Sequence, residues 1–234
     1  FCRVYCWGYP RYARQAGLRF VGADLPVKSA AEYVTTVHGH IALLTVPGSN
    51  FILMSAPMNI LLLSGSFHRR SYSQALLRFI AEQLPEHQHV SPDLLHLPFY
   101  SEDLAGEQRP QVIVDFLQQV SAADALIVCS PEYNHSIPAV LKNAIDWASR
   151  PAFKSPLKDK PVTFITQANS PVGGARAQAH LKLVFDSTLS RIHMCHEMMI
   201  AGVEQKFDEH LSLVDEPSQA RIKRHLADFI QFIG

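Results

Sequence analysis

Residues 58–77 read MNILLLSGSFHRRSYSQALL, and the fold turns on how this stretch changes character. Asn59–Leu63 is a short apolar run, as expected of a strand buried on both faces. It ends at Ser64 in a turn that carries the hydroxyls of Ser66, Ser71 and Ser73 and the basic side chains of His68, Arg69 and Arg70. Gly65 permits a tight turn there. The apolar pattern then resumes with a different period. Ala75, Leu76, Phe79, Ile80 and Gln83 are spaced three or four apart, which predicts a helix over about Ser71–Leu84. A strand that enters a helix this way aims the free N–H groups of the first helical turn at whatever fills the loop, with Ser71 at the N-cap. The helix dipole by itself gives an anion only about 0.3–1 kcal/mol. Several charge-assisted hydrogen bonds of about 1.5–3 kcal/mol each supply the rest, so the turn reads as a phosphate site. The plainer alternative is an ordinary serine-capped turn.

The same alternation continues to the end of the chain. A strand is expected near His89–Leu95, then a helix over Arg109–Ser121 opened by Pro110, with Val112, Ile113, Phe116, Leu117 and Val120 on one face. The continuously apolar ALIVCS, 125–130, is a strand buried on both faces. A helix over Pro138–Ser149, a strand over Val162–Thr166, a helix over Gly173–Ser190, a strand over about Met194–Ala201 and a helix over Ser218–Phe232 complete the series. This rhythm predicts an α/β fold of the flavodoxin-like kind: a three-layer sandwich around a five-stranded, parallel, doubly wound sheet. In such sheets ligands sit outside the carboxyl ends of the strands, at the switch point. Loops 64–72, 130–137 and 167–175 are therefore expected to share one site. Residues 1–57 show no such periodicity. They are expected to be an N-terminal extension, irregular or outside the core, or else a small appended element that packs on the domain, leaving 58–234 as the functional domain.

The chain has 234 residues, of which 47% are apolar and 18% charged, with a formal net charge of zero. That is enough apolar material for a real core. A balanced charge offers no field for nucleic acid and no acidic surface for docking on basic carriers. No uninterrupted apolar stretch reaches the roughly 20 residues of a membrane span; Pro47, Gly48 and Pro57 break the longest one. Cys2, Cys6, Cys129 and Cys195 form no CxxC pair, so a reducing, cytoplasmic setting is expected. HMCH, 193–196, lies in an apolar run whose alternate residues face opposite sides of a strand, and no metal site is expected there.

Loop two, within SPEYNHSIPAVLKNAIDW (130–147), is bracketed by Pro131 and Pro138. It can offer a flat aromatic ligand backbone polar groups at its edge and Tyr133 as a wall. Local turn bonding is an equal reading for Asn134 and Ser136. Loop three, QANSPVGGARAQAHL (167–181), has Gly173–Gly174 for close backbone approach before another helix N-terminus. Arg176 pairs with a carboxylate across a subunit boundary or faces solvent. The first turn has neither GxGxxG nor GxxxxGK[ST], which argues against dinucleotide folds and P-loop NTPases, and no cysteine nucleophile.

Taken together, these motifs resemble the NADPH-dependent FMN reductase family. Its first loop, roughly GSxRxxSxN, stands here as Gly65-Ser66-Phe67-His68-Arg69-Arg70-Ser71-Tyr72-Ser73; its PEYNxSxPxxLKNAIDW matches Pro131–Trp147; its GGxRAQ matches Gly173, Gly174, Arg176, Ala177 and Gln178. His68 stands where the family has a phosphate-binding arginine, and Ser73 where it has asparagine, leaving Arg69 or Arg70 to reach the phosphate. The resemblance implies FMN and NADPH as cofactors and a small-molecule electron acceptor: free flavin, quinone, azo compound or metal oxyanion. It also implies a homodimer or homotetramer. Phosphate contacts fall to Ser66, His68, Ser71, Ser73 and Arg69, and ring and ribityl contacts to Pro131, Glu132, Tyr133, Asn134 and Ser136. Gly173 and Gly174 close the remaining edge. No general acid or nucleophile is expected, because the cofactor carries the chemistry. A non-catalytic flavodoxin-like electron carrier and a flavin-free binding domain are the alternatives.

Overall fold

The computed structural model describes residues 35–37, 41–44, 52–55, 57–106 and 108–234. The chain divides into two units, Phe1–Ser55 and Ala56–Gly234. In the first, β1 (Thr35–Val37), β2 (Ile41–Leu44) and β3 (Ile52–Ser55) pair antiparallel in that order, with Thr35 opposite Leu43 and Leu44 opposite Ile52. The rest of the expected N-terminal extension, Cys2 and Cys6 included, lies outside the described residues.

The second unit opens with β4 (Asn59–Ser64), the apolar run of the opening stretch. It continues through α1 (Tyr72–Gln83), β5 (Gln88–Val90), α2 (Gln111–Ala122), β6 (Ala125–Pro131), α3 (Ala139–Ala148), β7 (Pro161–Ala168), α4 (Ala175–Ser187), β8 (Arg191–Ile192), β9 (Met198–Ala201) and α5 (Glu216–Ile233). The strands are parallel and lie in the order β5-β4-β6-β7, with β8 and β9 both on the outer side of β7. The chain runs outward from β4 to β5, then reverses through β6 and β7. That reversal places the switch point between β4 and β6. This is the flavodoxin-like α/β sheet.

Alternation along the strands divides the core between the two faces. Leu61, Leu63, Leu126, Val128 and Phe164 point to one face, where Ile113 and Phe116 of α2, Leu141 and Trp147 of α3, and Leu181 and Phe185 of α4 cover them. Ile60, Leu62, Ile127, Cys129 and Ile165 point to the other, under Leu76 and Ile80 of α1 and Ile222, Leu226 and Phe229 of α5. Each fully buried Leu, Ile or Phe contributes about 1.5–3 kcal/mol relative to exposure. Burial on both faces is why these strands read as unbroken apolar runs.

Two elements depart from the sequence reading. The second strand of the sheet ends at Val90, not Leu95, because Pro92 cannot donate to a ladder. The fifth strand is split. Ile192 pairs with Val162 and Met198 with Ile165, so five residues, 193–197, stand opposite Thr163 and Phe164. That surplus cannot stay in register, and the segment leaves the sheet between β8 and β9.

The LKNAIDW part of the long motif has a structural task. Trp147 Nε1 donates to the Pro98 carbonyl at 2.7 Å, Asn143 Nδ2 donates to the same carbonyl at 3.0 Å, and Asn143 Oδ1 accepts from the Tyr100 N–H at 2.8 Å. These bonds strap the 97–100 segment onto α3. Asp146 pairs with Lys142 at 2.7 Å, one turn back on the same helix.

Candidate functional site

The loops after β4, β6 and β7 meet at the carboxyl edge of the sheet around a cavity of about 480 Å³. Its position follows from the switch point, and its size suits a small-molecule ligand. Loop one contributes Ser66, His68, Arg70, Ser71, Tyr72 and Ser73; loop two Pro131, Glu132 and Tyr133; and the end of β7 Gln167, Ala168 and Asn169. Val203 and Glu204, just after β9, complete the wall.

Gly65 lets loop one lie directly on loop two. Its N–H donates to the Cys129 carbonyl at 2.8 Å. A Cβ built there would come within 2.6 Å of Ser130 Oγ and 3.1 Å of Ser130 Cα. Ser71 is the N-cap of α1: its Oγ accepts from the Gln74 N–H at 3.2 Å and donates to the Ser66 carbonyl at 3.1 Å. The Ser64 hydroxyl donates to that carbonyl at 2.7 Å. The loop is thereby locked with the N-terminus of α1 at the cavity wall, where Ser71, Tyr72 and Ser73 line it; the Gln74 N–H is taken by the cap and the Ser73 N–H lies 3.3 Å from the Gln167 amide oxygen. The His68 Nδ1 accepts from the Arg70 N–H at 3.2 Å, which leaves Nε2–H as the ring's donor. Arg70 donates from Nη1 to the Glu209 carbonyl at 3.3 Å and lines the cavity; Arg69 is exposed and does not.

Ser73 is fully buried, and its hydroxyl meets the side-chain amide of Gln167. With the amide oxygen toward Ser73, the amide nitrogen donates to the Ser130 carbonyl at 3.0 Å. Gln167 thus ties the ends of β6 and β7 to the first turn of α1.

In loop two, Tyr133 and Ser136 exchange N–H···O bonds of 2.9 Å each way, with Asn134 and His135 at φ 48° and 63°. This is a two-residue hairpin turn of the type that suits asparagine. The turn carries Asn134 away from the cavity into solvent and leaves the Ser136 hydroxyl bonded to His180 Nδ1 at 2.8 Å. Tyr133 is half-exposed, and its hydroxyl lies 3.5 Å from Ser66 Oγ, so it stands beside the cavity as an aromatic wall.

Glu132 joins loop two to loop three. Its Oε2 accepts from the Arg176 and Ala177 N–H groups at 2.9 and 3.3 Å, at the start of α4, and its Oε1 lies 3.5 Å from Arg176 Nη1. Burial alone raises its carboxyl, but the Ala177 and Arg176 N–H groups, with the His135 and Arg176 side chains, outweigh that and hold it below the usual carboxylate range. The carboxylate partner of Arg176 is therefore on its own chain. Gly173 and Gly174, at φ 60° and 85°, lie against strands and do not line the cavity. A Cβ on Gly173 would meet the Ala201 N at 3.0 Å, and one on Gly174 the Thr166 Cβ at 3.0 Å.

The profile of one family, described as NADPH-dependent FMN reductase, matches residues 58–205. The chain belongs to the NADPH-dependent FMN reductase family. It is 36% identical over 178 residues to an NAD(P)H-dependent FMN reductase of Pseudomonas aeruginosa, covering 74% of this chain and 94% of that one. It is 30% identical over 184 residues to a quinone reductase of Escherichia coli K12, covering 77% and 97%. Among solved structures, FerB, a flavoenzyme NAD(P)H:(acceptor) oxidoreductase from Paracoccus denitrificans, superposes with a TM-score of 0.68 at 25% identity, covering 75% and 97%. As a member of this family the chain is an FMN- and NAD(P)H-dependent oxidoreductase.

Of the residues singled out in the sequence, Ser66, His68, Ser71, Ser73, Pro131, Glu132 and Tyr133 line one cavity; Arg69, Asn134, Ser136, Gly173 and Gly174 do not. From sequence, Arg70 is only an alternative to Arg69; the loop's own bonds, the Arg70 N–H to His68 Nδ1 and Arg70 Nη1 to the Glu209 carbonyl, put Arg70 at the cavity. Gln167–Asn169 carried a usable signal, the polar end of an apolar strand at the same edge of the sheet. Val203 and Glu204 carried none, since only the packing of β9 on β7 brings them there.

Proposed function

We propose that the cavity binds FMN with its phosphate among Ser66, His68, Arg70 and Ser71 at the start of α1, and its ring system beside Pro131, Glu132 and Tyr133. The residues fit such a group by their chemistry. One end of the cavity has hydroxyls, a helix N-terminus and basic side chains, suited to a phosphate. The other has an aromatic wall and strand-end backbone, suited to a flat ring. The observation that carries the reading is the convergence of three distant loops on one cavity at the switch point. FMN, when bound, supplies a relay of two electrons from NAD(P)H to an acceptor. The chain's part is to grip the phosphate, hold loops two and three together through Glu132, and leave one side of the cavity open to solvent for nicotinamide and acceptor in turn. No protein acid or base is needed for this role. The acceptor is a small molecule of the quinone, azo, free-flavin or metal-oxyanion type. The quinone class is favoured by the Escherichia coli relative.

Within this reading the protein acts as a homodimer or homotetramer in the cytoplasm. The exposed Leu95 and Phe99 offer apolar surface for a second copy. Among the described residues no helix is long and apolar enough to cross a membrane. The test is an absorbance spectrum of the purified chain with FMN and then NADPH added under argon. A flavin spectrum that bleaches is expected. Colour without bleaching would reject the reductase reading in favour of a carrier, and a protein that leaves the spectrum of free FMN unchanged would reject the site.

A further inference from the structure

The 193–197 segment that leaves the fifth strand carries a polar cluster that shares no lining residue with the flavin cavity. His193 and Cys195 both turn toward α5, while His196 is exposed. There they meet His225. Cys195 Sγ lies 3.6 Å from His225 Nδ1, and one nitrogen of each imidazole and the sulfur all lie within 4.8 Å of one another. Both histidines are buried, and Cys195 and His225 line a second cavity of about 430 Å³ together with Asp228, one turn on from His225 along α5.

We propose that His193, Cys195 and His225 bind a late first-row divalent cation of the Zn²⁺ class, with the fourth position facing the cavity beside Asp228. Three observations support this. First, Zn–S and Zn–N bonds of about 2.3 and 2.0 Å at a tetrahedral angle set sulfur and nitrogen about 3.5 Å apart, close to the observed 3.6 Å. Second, one thiolate and two imidazoles are the donor types that such cations select. Third, the supporting shell is in place. Thr163 Oγ1, on β7, lies 2.7 Å from His225 Nε2 and 3.2 Å from His193 Nδ1. Its two lone pairs can accept N–H from both rings, which fixes their orientation and keeps a lone pair on each for the metal. On binding, the Cys195 thiol gives up its proton to solvent, one H⁺ per cation, and the sulfur–metal bond forms without any change of oxidation state. Burial, with the negative charges of Asp228 and Glu197, holds the Cys195 thiol above its ordinary value, so the thiol is protonated until the cation displaces its proton. A cation here would clamp α5 to the interrupted edge of the sheet.

The experiment uses the full chain, stripped with a chelator and titrated with Co²⁺. Difference spectra are read at wavelengths beyond flavin absorption for the metal and in the near ultraviolet for thiolate charge transfer. Expected are tetrahedral bands saturating at one equivalent, their displacement by Zn²⁺, release of one proton per ion, and a higher thermal midpoint with Zn²⁺. Cys195→Ser, at a half-buried position, is expected to fold with the midpoint of the stripped wild type and to lose the charge-transfer band and the Zn²⁺ shift. Thr163→Val is expected to weaken Co²⁺ affinity about 10–100-fold. A charge-transfer band that survives in Cys195→Ser would overturn the proposal, as would a thermal midpoint that Zn²⁺ does not move. In either case the cluster is only a hydrogen-bonded part of the core, with the Cys195 thiol donating to His225. Neither result bears on the flavin site, whose spectrum is read separately.

Discussion

Replacing Glu132 with glutamine tests whether loops two and three are held together by a charge. The carboxylate accepts two backbone N–H groups at the start of α4, at 2.9 and 3.3 Å, and its side chain is only 10% exposed. Glutamine keeps an acceptor oxygen but removes the charge. What is lost is the difference between charge-assisted and neutral hydrogen bonds, about 0.5–1.5 kcal/mol each, plus about 0.3–1 kcal/mol of favourable interaction with the helix N-terminus. About 1.3–4 kcal/mol of destabilisation at pH 7 follows. With a urea m-value of about 2 kcal/mol/M, the midpoint falls by about 0.7–2 M. The pH dependence separates this account from a packing effect. The Glu132 carboxyl in the folded protein titrates below its ordinary value of 4.5. Its contribution is therefore complete above pH 4.5 and disappears as pH falls through the lower folded value. The gap between wild type and Glu132→Gln should be constant from pH 7 down to about 5 and narrow below 4.5. Urea denaturation followed by circular dichroism measures both. Equal stability at pH 7, or a gap that stays the same size through the acid range, would refute the reasoning.

Three other outcomes are expected. Arg70→Ala removes one charge-assisted contact at the phosphate end, so FMN affinity in a fluorescence-quenching titration should fall about 10–100-fold while affinity for riboflavin, which lacks the phosphate, stays as it was. Gly65→Ala places a Cβ 2.6 Å from Ser130 Oγ and 3.1 Å from Ser130 backbone; loops one and two must separate, with about 1–3 kcal/mol lost in thermal or urea unfolding and FMN binding weakened. Asn143→Ala leaves the Tyr100 N–H without its partner and removes a donor from Pro98, at a cost of about 1–3 kcal/mol, and hydrogen exchange at residues 97–100 should quicken.

Much of the site was legible because the fold itself was. The change of period at Ser64, from apolar run to helical spacing, located β4, the turn and α1, and alternation then ordered the remaining elements of the sheet. Ser71 as N-cap followed from residue type alone. Arg69 and Arg70 could not be separated that way, because adjacent residues on a turn point in directions set by the loop's internal hydrogen bonds. Asn134 matches the family motif, yet its task here is a left-handed hairpin position, and its side chain faces solvent. The glycine pair invited a ligand by its freedom of approach, and the close approach is to β7 and β9. HMCH reads as part of a strand, but the chain leaves the sheet there, so alternation does not place its side chains; His193 and Cys195 turn toward α5, which supplies the third member.

The order of local states along the chain was decided by the sequence itself, since hydrophobic period, caps and prolines act over a few residues and need no distant partner. From that order alone came the parallel doubly wound sheet and the edge where a ligand must sit. Tertiary structure alone decided which side chains share a space. Glu132 with the start of α4, Gln167 with Ser73, and His225 with Cys195 are separated by 30 to 94 positions in the chain. Their meeting depends on the register of strands and the seating of helices, which no local pattern encodes.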